Sequence, residues 1–431
     1  MTPPPAQDYP RSYYAATSRG APHLTALDHD ETCDVCVVGA GYTGLSAAYH
    51  LAERGYRVVV LEAGPVGFGA SGRNGGQLYR SQRLGQRELE TMLGHDWAHH
   101  LWNLGLESAA LVKGLIASHG IECDLKPGIL HGAWKASDVA SIRNEVDHLT
   151  ADYGCEKLSF VSREEIAGMV GTSRYHGGSL DMGCAHLHPL NFALGLARAA
   201  IGKGAQIYEG TRALGIGYGD RITIKTAHGT VTSNFVALAC NAYLGKLEPR
   251  IAHKIMPINN FIIATEPLGE AQARALIRDD VAVADTKFVI DYYRLSADHR
   301  LLFGGGENYS SKFPEDIAAF VRKPMLRVFP QLENTRIDYA WGGALAITLP
   351  RMPSFGRLAG NAYYAQGYSG QGVNMATLGG KLMAEAIAGH AERFDWMADV
   401  RIPDFPGGMW LRYPALVAGM LFYAMRDRLP W

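Results

Sequence analysis

The chain has 431 residues, of which 47% are hydrophobic and 19% charged, with 41 Lys and Arg against 42 Asp and Glu. This composition is typical of a globular protein with a large core and two or three domains. A formal net charge of −1 gives no attraction for a polyanion, so nucleic acid is excluded as an expected partner.

The first elements predict a βαβ unit. Residues 1–30 are rich in Pro, Tyr and polar residues, and we expect a lead-in there rather than an element. The apolar run Cys33–Val38 predicts a buried parallel strand that stops at Gly39. Leu45–Arg54 has helical spacing, and Arg57–Leu61 predicts a second strand. Strand, glycine turn, helix and strand in one short stretch are typical of a βαβ unit.

Helices and further strands follow in separate blocks. Residues 88–151 are predicted to be mostly helical. Short alternating runs between residues 254 and 310, one of them Lys287–Leu295, predict an antiparallel sheet. The other predicted elements are two helices, Leu190–Ile201 and Met375–Ala388, and four strands, Gln206–Glu209, Ile222–Thr226, Asn234–Ala239 and Tyr363–Gln366.

A dinucleotide-binding fingerprint lies in the βαβ unit. Gly39-Ala40-Gly41-Tyr42-Thr43-Gly44 follows the first strand and opens the helix. Its glycines allow a tight turn and close approach of a pyrophosphate, which the helix N-terminus attracts. Glu62 ends the second strand, where an acid is expected to grip a ribose hydroxyl. A carboxylate there would repel the extra phosphate of NADP, so NADP is not favoured.

Three glycine-rich or strand segments favour FAD over NAD. Val66–Gln77 is long enough to run from a pyrophosphate to a ring system, and Phe235–Gly245 fits a strand passing near the nucleotide. Tyr364–Gly372 is a second strand and glycine turn before a helix, whose N-terminus suits the flavin edge that becomes negative on reduction.

These patterns predict an α/β protein, α+β overall. A Rossmann-type FAD-binding domain is assembled from separated pieces, and an antiparallel-sheet substrate domain is inserted between them. The expected boundaries are 1–30 for the lead-in, 31–87, 185–250 and 340–392 for the FAD-binding domain, 88–184 and 251–339 for the substrate domain, and 393–431 for a C-terminal tail.

Several segments resemble the D-amino acid oxidase superfamily, which includes sarcosine and glycine oxidases. Within it the chain is most similar to the bacterial gamma-glutamylputrescine oxidoreductases. The similar segments are Ser12–Ala16, Cys33–Gly39, Gly67–Gln77, His186–Asn191, Asp291–Leu295, Arg351–Leu358 and Phe405–Gly408. Together with this resemblance, the glycine segments imply an FAD site made by Gly39, Ala40, Gly41, Tyr42, Thr43, Gly44, Glu62, Ala63, Ser71, Arg73, Asn74, Gly75, Gly76, Gln77, Ala213, Ala239, Gly343, Gly367, Tyr368, Ser369, Gly370 and Gln371.

The resemblance implies oxidation of a primary amine to an imine, which hydrolyses to an aldehyde and ammonia, with O2 or another acceptor regenerating FAD. The expected substrate is gamma-glutamylputrescine or a related gamma-glutamylated polyamine in cytoplasmic polyamine catabolism. Some sarcosine oxidases hold the flavin through a cysteine just before the last strand and turn. Trp341–Thr348 contains no cysteine, so non-covalent FAD is expected.

Candidate residues for the amine fall into two groups. Aromatic side chains would position and desolvate it, and the candidates, each of which also fits core packing, are Tyr292, Tyr293, Trp341 and Tyr368. Asp291, Arg294 and Gln77 are candidate substrate contacts. Arg294 suits the carboxylate of a gamma-glutamyl group, whereas Asp291 suits the ammonium of a free polyamine. Arg351 is left open as a contact to a substrate carboxylate, to a flavin edge, or to neither.

Two other functions and one other ligand stay open. An apolar stretch at Tyr413–Met425 fits a helix on a membrane surface, as in a dehydrogenase that reduces quinone, but a helix docked on protein is favoured. A non-catalytic FAD-binding protein is the third function. A metal is not expected, because His186 and His188 have no third ligand at suitable spacing.

Overall fold

The computed structural model of the chain describes residues 8–308 and 312–406. The apolar stretch Tyr413–Met425 lies outside the described residues. The helices are α1 (Tyr13–Ala16), α2 (Tyr42–Glu53), α3 (Gln86–Leu93), α4 (His95–Ser118), α5 (Asp138–Tyr153), α6 (Arg163–Met169), α7 (Pro189–Gly202), α8 (Pro249–Ala252), α9 (Glu270–Leu276), α10 (Ile317–Val328), α11 (Gly372–Ile387) and α12 (Glu392–Ala398).

The strands form two sheets, and both draw on distant parts of the chain. The strands are β1 (Glu31–Val38), β2 (Val58–Leu61), β3 (Gln77–Leu78), β4 (Lys126–Gly132), β5 (Leu158–Val161), β6 (Gly178–His186), β7 (Gln206–Tyr208), β8 (Gly215–Gly217), β9 (Ile222–Lys225), β10 (Thr230–Leu238), β11 (Met256–Thr265), β12 (Ala282–Asp285), β13 (Tyr292–Leu295), β14 (Leu301–Asn308), β15 (Ile337–Ile347), β16 (Ser354–Ala359) and β17 (Ala362–Gln366).

The first sheet has the order β16-β17-β10-β1-β2-β7, and β9 and β8 extend from β10. The strands from β17 to β7 are parallel to one another. Val35 and Val37 of β1 pack in one hydrophobic cluster, and Cys36 and Val38 pack in another. Both faces of β1 are therefore buried, as expected for a central parallel strand, and its carboxyl end meets Gly39 in the middle of the sheet.

The second sheet has the order β15-β11-β14-β13-β12-β4-β6-β3, with β5 paired to β6. Its pairs are antiparallel except for β12 and β4, which are parallel. Its core contains Phe261, Phe303 and Phe329, together with residues of α10. The predicted combination of a parallel nucleotide-binding sheet with a mainly antiparallel second sheet is confirmed.

Some segments lie elsewhere than the sequence indicated. Residues 340–347 fall in the expected FAD-binding segment, but they belong to β15 of the second sheet. Helix α4 falls in the expected substrate segment, but its Leu104 and Val112 pack in the same cluster as α2 and α11. The stretch 88–151 also contains a strand, β4, between its helices.

The predicted strand Lys287–Leu295 begins only at Tyr292, because the preceding residues close a loop. The backbone N–H groups of Lys287 and Asp291 both donate to Oδ1 of Asp285, at 3.2 and 3.1 Å. An ion pair between Lys287 and Asp291 joins the two ends of the same loop. These bonds turn the chain between β12 and β13 and make it unsuitable for continuous strand pairing.

The residues before β1 form part of the core. Helix α1 begins after Ser12, whose hydroxyl accepts a hydrogen bond from the Ala15 N–H. Tyr14 is 0% exposed and packs edge-on against Trp341, with ring centroids 5.1 Å apart. Tyr13 and Tyr14, which composition assigned to a lead-in, are therefore buried against β15 of the second sheet.

Among the described residues, none of the helices combines the length and the apolar character needed to cross a membrane.

Helices α2 and α11 cross so closely that the contact requires glycine. A Cβ at Gly380 would lie 2.2 Å from Thr43 O and 2.6 Å from Ala47 N. We expect Gly380→Ala to lower the free energy of unfolding by about 1–3 kcal/mol, because backbone atoms cannot yield as a flexible side chain would. Urea unfolding followed by circular dichroism measures this change.

Gly114→Ala is the matched control for that substitution. Gly114 lies inside α4 and has no atom within 4 Å of the position that a Cβ would take. Its replacement should be neutral or stabilising by up to about 1 kcal/mol, because alanine favours a helix. Equal destabilisation by the two substitutions would show that the α2–α11 contact is not specifically tight.

Candidate active site

A cavity of about 940 Å³ is lined by residues of both sheets and of helices α2, α4, α5 and α11. One end is formed by the turn between β1 and α2. Gly39 has φ +107°, and a Cβ there would lie 2.9 Å from Ala239 O. A Cβ at Gly44 would lie 1.8 Å from Gly39 O. The fingerprint glycines therefore permit a turn that no other residue could form without moving the backbone.

Glu62 lies at this end of the cavity with its carboxylate held by backbone. Its Oε2 accepts the Ala40 N–H at 2.7 Å, and its Oε1 accepts the Gly64 N–H at 2.9 Å. Burial raises the pKa of Glu62, and these hydrogen bonds lower it. The carboxylate is thus fixed at the end of β2, beside Gly39 and Ala239.

The loop after Glu62 lines the cavity and is anchored to α2 and to the second sheet. Ser71 Oγ accepts the Tyr42 N–H at 3.0 Å, at the first turn of α2. Arg73 donates from Nε to Phe68 O and from Nη1 to Gly342 O of β15. Asn74 donates to the carbonyls of Ala70 and Ser71. The arginine and asparagine side chains therefore fix the loop's own backbone.

A second turn, after β17, closes another part of the cavity. Gly367, Ser369 and Gly370 have φ values of +74°, +52° and +99°. Ser369 tolerates this left-handed conformation because its Oγ accepts the Thr348 N–H and donates to Gly367 O. The turn leads directly into α11, so the cavity is lined by the first residues of two helices, α2 and α11. Both N-termini bring partial positive charge to the same cavity.

Aromatic side chains occupy defined positions around this cavity. The ring of Tyr292 lies close to the loop: a Cβ at Gly75 would be 2.6 Å from a ring carbon. The Tyr292 hydroxyl donates to Asn260 Oδ1. Tyr368 also lines the cavity, and its hydroxyl shares a 2.7 Å hydrogen bond with Thr43. Trp341 lies behind the loop and donates from Nε1 to Arg73 O. Tyr293 lies in the second core, hydrogen-bonded to Tyr175.

Two candidate substrate contacts are buried outside the cavity lining. Arg294 is 4% exposed, and it donates from Nε to Gly75 O and from Nη2 to the Tyr14 hydroxyl. Asp291 is 2% exposed and forms an ion pair with Lys287, which does line the cavity. Gln77 lines the cavity and donates from Nε2 to Val283 O.

Most of the predicted cofactor residues meet at the cavity, although they come from distant segments. Those that line it are Gly39, Gly41, Tyr42, Thr43, Glu62, Ala63, Ser71, Arg73, Asn74, Gly75, Gln77, Ala213, Ala239, Gly343, Tyr368, Ser369, Gly370 and Gln371. The other four, which shape the turns from behind, are Ala40, Gly44, Gly76 and Gly367.

Sequence reasoning missed several charged residues that line the same cavity. They lie in the segment after β3, on α3, on α5, on β6 and after β7, and they are Arg80, Arg83, Glu88, Glu145, Asp181 and Arg212. No glycine turn or motif marks them, because they reach the cavity only through the packing of α3, α5 and the second sheet.

The two histidines considered for a metal have structural partners instead. His186 Nε2 hydrogen-bonds Asp280 O, and His188 accepts the Asn191 N–H to cap α7. Burial lowers the pKa of both imidazoles to about 3, which keeps them neutral. Within the described residues no group of three or more His, Cys, Asp or Glu side chains could hold a metal ion.

Comparison with known proteins identifies the family. Residues 34–386 match the model of the DAO family, described as FAD dependent oxidoreductases. The chain is 43% identical, over 98% of its own length and 99% of the relative's, to the gamma-glutamylputrescine oxidoreductase of Escherichia coli (strain K12). The chain belongs to the DAO family of FAD-dependent oxidoreductases.

Solved structures agree on the fold. The glycine oxidase of Geobacillus kaustophilus matches with a TM-score of 0.70 at 21% identity, over 83% of this chain and 95% of that one. The L-proline dehydrogenase of P. horikoshii matches with a TM-score of 0.71 at 22% identity, over 84% of this chain and 94% of that one.

The cavity of this flavoenzyme fits FAD. Its glycine turns leave backbone exposed where a side chain would otherwise intrude, and two helix N-termini suit the pyrophosphate and a negatively charged ring edge. Gln371 Oε1 is buried in the second turn and has no hydrogen-bond partner within residues 8–308 and 312–406. The Glu62 carboxylate is placed to accept hydroxyl donors at the other end.

We expect Glu62→Gln to weaken FAD binding by about 10–100-fold, since charge-assisted hydrogen bonds are lost and an amide N–H would face a backbone N–H. Quenching of FAD fluorescence on titration of the apoprotein measures the affinity. Glu53→Gln, at the far end of α2 and paired there with Lys203, is the control. An unchanged affinity in Glu62→Gln would remove Glu62 from the cofactor site.

Proposed function

We propose that this enzyme oxidises the primary amine of gamma-glutamylputrescine, or of a closely related gamma-glutamylated polyamine. In the overall reaction the amine, water and O2 yield an aldehyde, ammonia and hydrogen peroxide. The observation that carries the proposal is the 43% identity to the E. coli gamma-glutamylputrescine oxidoreductase over nearly the full length of both chains.

Two tyrosines line the cavity, Tyr292 from β13 of the second sheet and Tyr368 from the turn after β17. We propose that they position the amine and exclude water, and that Trp341 supports the loop behind them. Burial raises the pKa of the Tyr368 hydroxyl well above its usual value, so this hydroxyl stays protonated. An uncharged amine carries the lone pair that drives loss of hydride, so positioning and desolvation are the main tasks of these side chains.

When bound, FAD supplies the two-electron acceptor for the hydride that leaves the amine carbon. The chain's own residues hold the reacting groups in place around that transfer. Arg294 acts from outside the cavity by holding Gly75 O, and Asp291 acts by pairing with Lys287. Gln77 is the candidate among the three that can touch the substrate directly, because it lines the cavity.

The FAD is proposed to be non-covalent. Two cysteines line the cavity, Cys184 and Cys240. Burial raises the pKa of Cys240 to about 12 and that of Cys184 further still. Their thiolates are therefore scarce at neutral pH, and a thiol is a poor nucleophile towards a ring.

Acid precipitation of the purified holoenzyme should accordingly leave the protein pellet colourless and release intact FAD into the supernatant. The absorbance and chromatographic retention of the supernatant, compared with authentic FAD, provide the measurement. Yellow colour that stays with the precipitated protein would contradict non-covalent binding.

The substrate is tested by anaerobic bleaching of the flavin absorbance with gamma-glutamylputrescine, putrescine, spermidine, sarcosine and glycine. Gamma-glutamylputrescine should bleach fastest, and in air peroxide should form in step with aldehyde. Fast bleaching by another compound would overturn the substrate. Bleaching without peroxide, with electrons passed to a quinone, would favour a dehydrogenase. A bound FAD that no amine bleaches would indicate a non-catalytic FAD-binding protein.

A further inference from the structure

One wall of the cavity carries charged side chains that belong to none of the glycine turns. It is built by the segment between β3 and α3 and by one face of α5. Four residues of α5 line the cavity at helical spacing, and they are Ile142, Glu145, Val146 and Leu149. Since residues three and four apart share a helix face, Glu145 belongs to the face turned to the cavity and is the charged member of an otherwise apolar row.

Arg83 also lines this wall. It is half-buried, and within the described part of the chain its guanidinium makes no hydrogen bond or ion pair. His131 also lines the cavity, and its pKa is lowered mainly by burial and further by the nearby positive charge of Arg83. Most guanidinium groups in such surroundings pair with a carboxylate or a carbonyl, so a partner from outside the chain is indicated.

Two neighbouring cations in the same lining are already neutralised. Arg80 donates from Nε to Asp181 Oδ2 at 2.8 Å. Lys287 lies 3.2 Å from Asp285 and pairs also with Asp291. A ligand carboxylate would have to break these pairs to use Arg80 or Lys287, whereas Arg83 offers two parallel donors at no such cost.

Glu145 is held in position with bonding capacity to spare. Its Oε1 accepts the Gln86 N–H at 3.1 Å, at the start of α3. Within the described residues no partner is present for Oε2. Glu88 lines the same wall but is exposed, so water screens its charge.

We infer that Arg83 and Glu145 bind the α-carboxylate and the α-ammonium of a gamma-glutamyl group. This inference rests on the proposed function and assigns its substrate specificity to two residues. One unpaired cation and one partly unpaired carboxylate match the opposite charges of an amino acid head. A free polyamine carries only positive charge, so Arg83 would repel it.

Steady-state kinetics with three substrates separates the two contacts. Gamma-glutamylputrescine has both head charges, N-glutarylputrescine has only the carboxylate, and N-acetylputrescine has neither. Arg83→Met should raise KM about tenfold or more for the first two and leave the third unchanged. Glu145→Gln should raise KM for gamma-glutamylputrescine alone. The value of kcat should change little, because the contacts are far from the reacting amine along the substrate.

Matched controls distinguish charge recognition from general damage. Arg87→Met removes a charge from α3, four residues after Arg83, and Asp147→Asn removes one from α5, the helix that carries Glu145; both positions are exposed and lie outside the cavity lining. Both should keep the wild-type KM. Arg83→Lys should restore part of the affinity, since it keeps the charge but loses the paired donors. Equal losses on all three substrates, or a wild-type KM in Arg83→Met, would overturn the inference.

A binding measurement keeps the inference independent of oxidation. Gamma-glutamyl-n-butylamide has the complete head and chain but no terminal amine, so the holoenzyme can bind it without turnover. Calorimetry should show binding that weakens about tenfold or more in Arg83→Met and in Glu145→Gln. Failure of the wild type to bind it would overturn the inference. Binding without any oxidation of gamma-glutamylputrescine would overturn the proposed function and leave the head-group site standing.

Discussion

Close backbone packing between the Gly39 turn, α2 and α11 holds the candidate active site together. The first turn of α2 meets the Gly39 carbonyl on one side and α11 on the other, with no room for a Cβ at Gly44 or Gly380. A 2.7 Å hydrogen bond between Thr43 and Tyr368 joins the two helix starts across 325 positions of sequence. Because both N-termini face one cavity, their partial charges act together on a single bound cofactor. The parallel sheet beneath them fixes the separation of the two turns.

The second sheet completes this site by placing side chains against the loop from the first. The ring of Tyr292 fills the space that Gly75 leaves. Arg294 donates a hydrogen bond to the carbonyl oxygen of the same glycine. A buried guanidinium without a carboxylate is costly unless its donors are used, and here backbone carbonyls and the Tyr14 hydroxyl use them. The Arg294 guanidinium therefore shapes the loop and does not line the cavity.

Much of the fold follows from local pattern. Cys33–Val38, the fingerprint and Glu62 lie within one βαβ unit, where strand, turn and helix are neighbours in sequence, so their arrangement depends on local chemistry. The two sheets were likewise anticipated from alternation and apolar runs. The packing partners of α1, α4 and β15 could not be anticipated in this way. The sequence of a helix or strand indicates which of its faces is apolar, but not which distant surface covers that face. Composition places Tyr14 in a polar lead-in, whereas in the structure its ring packs against Trp341.

The sequence by itself determined the turns that line the candidate FAD cavity, because glycines at positions of positive φ and an acid at a strand end are local requirements of the backbone, carried by neighbouring residues. Only the tertiary structure decided which charged side chains line that cavity. The sequence does not distinguish the cations Arg83, Arg294 and Lys287. In the structure Arg83 lines the cavity without a partner among the described residues, and Arg294 donates to a backbone carbonyl behind the cavity. Lys287 is paired with Asp285 and Asp291. Whether a charged side chain is available to a ligand depends on the burial and the hydrogen-bond partners around it, and folding brings these together from distant segments.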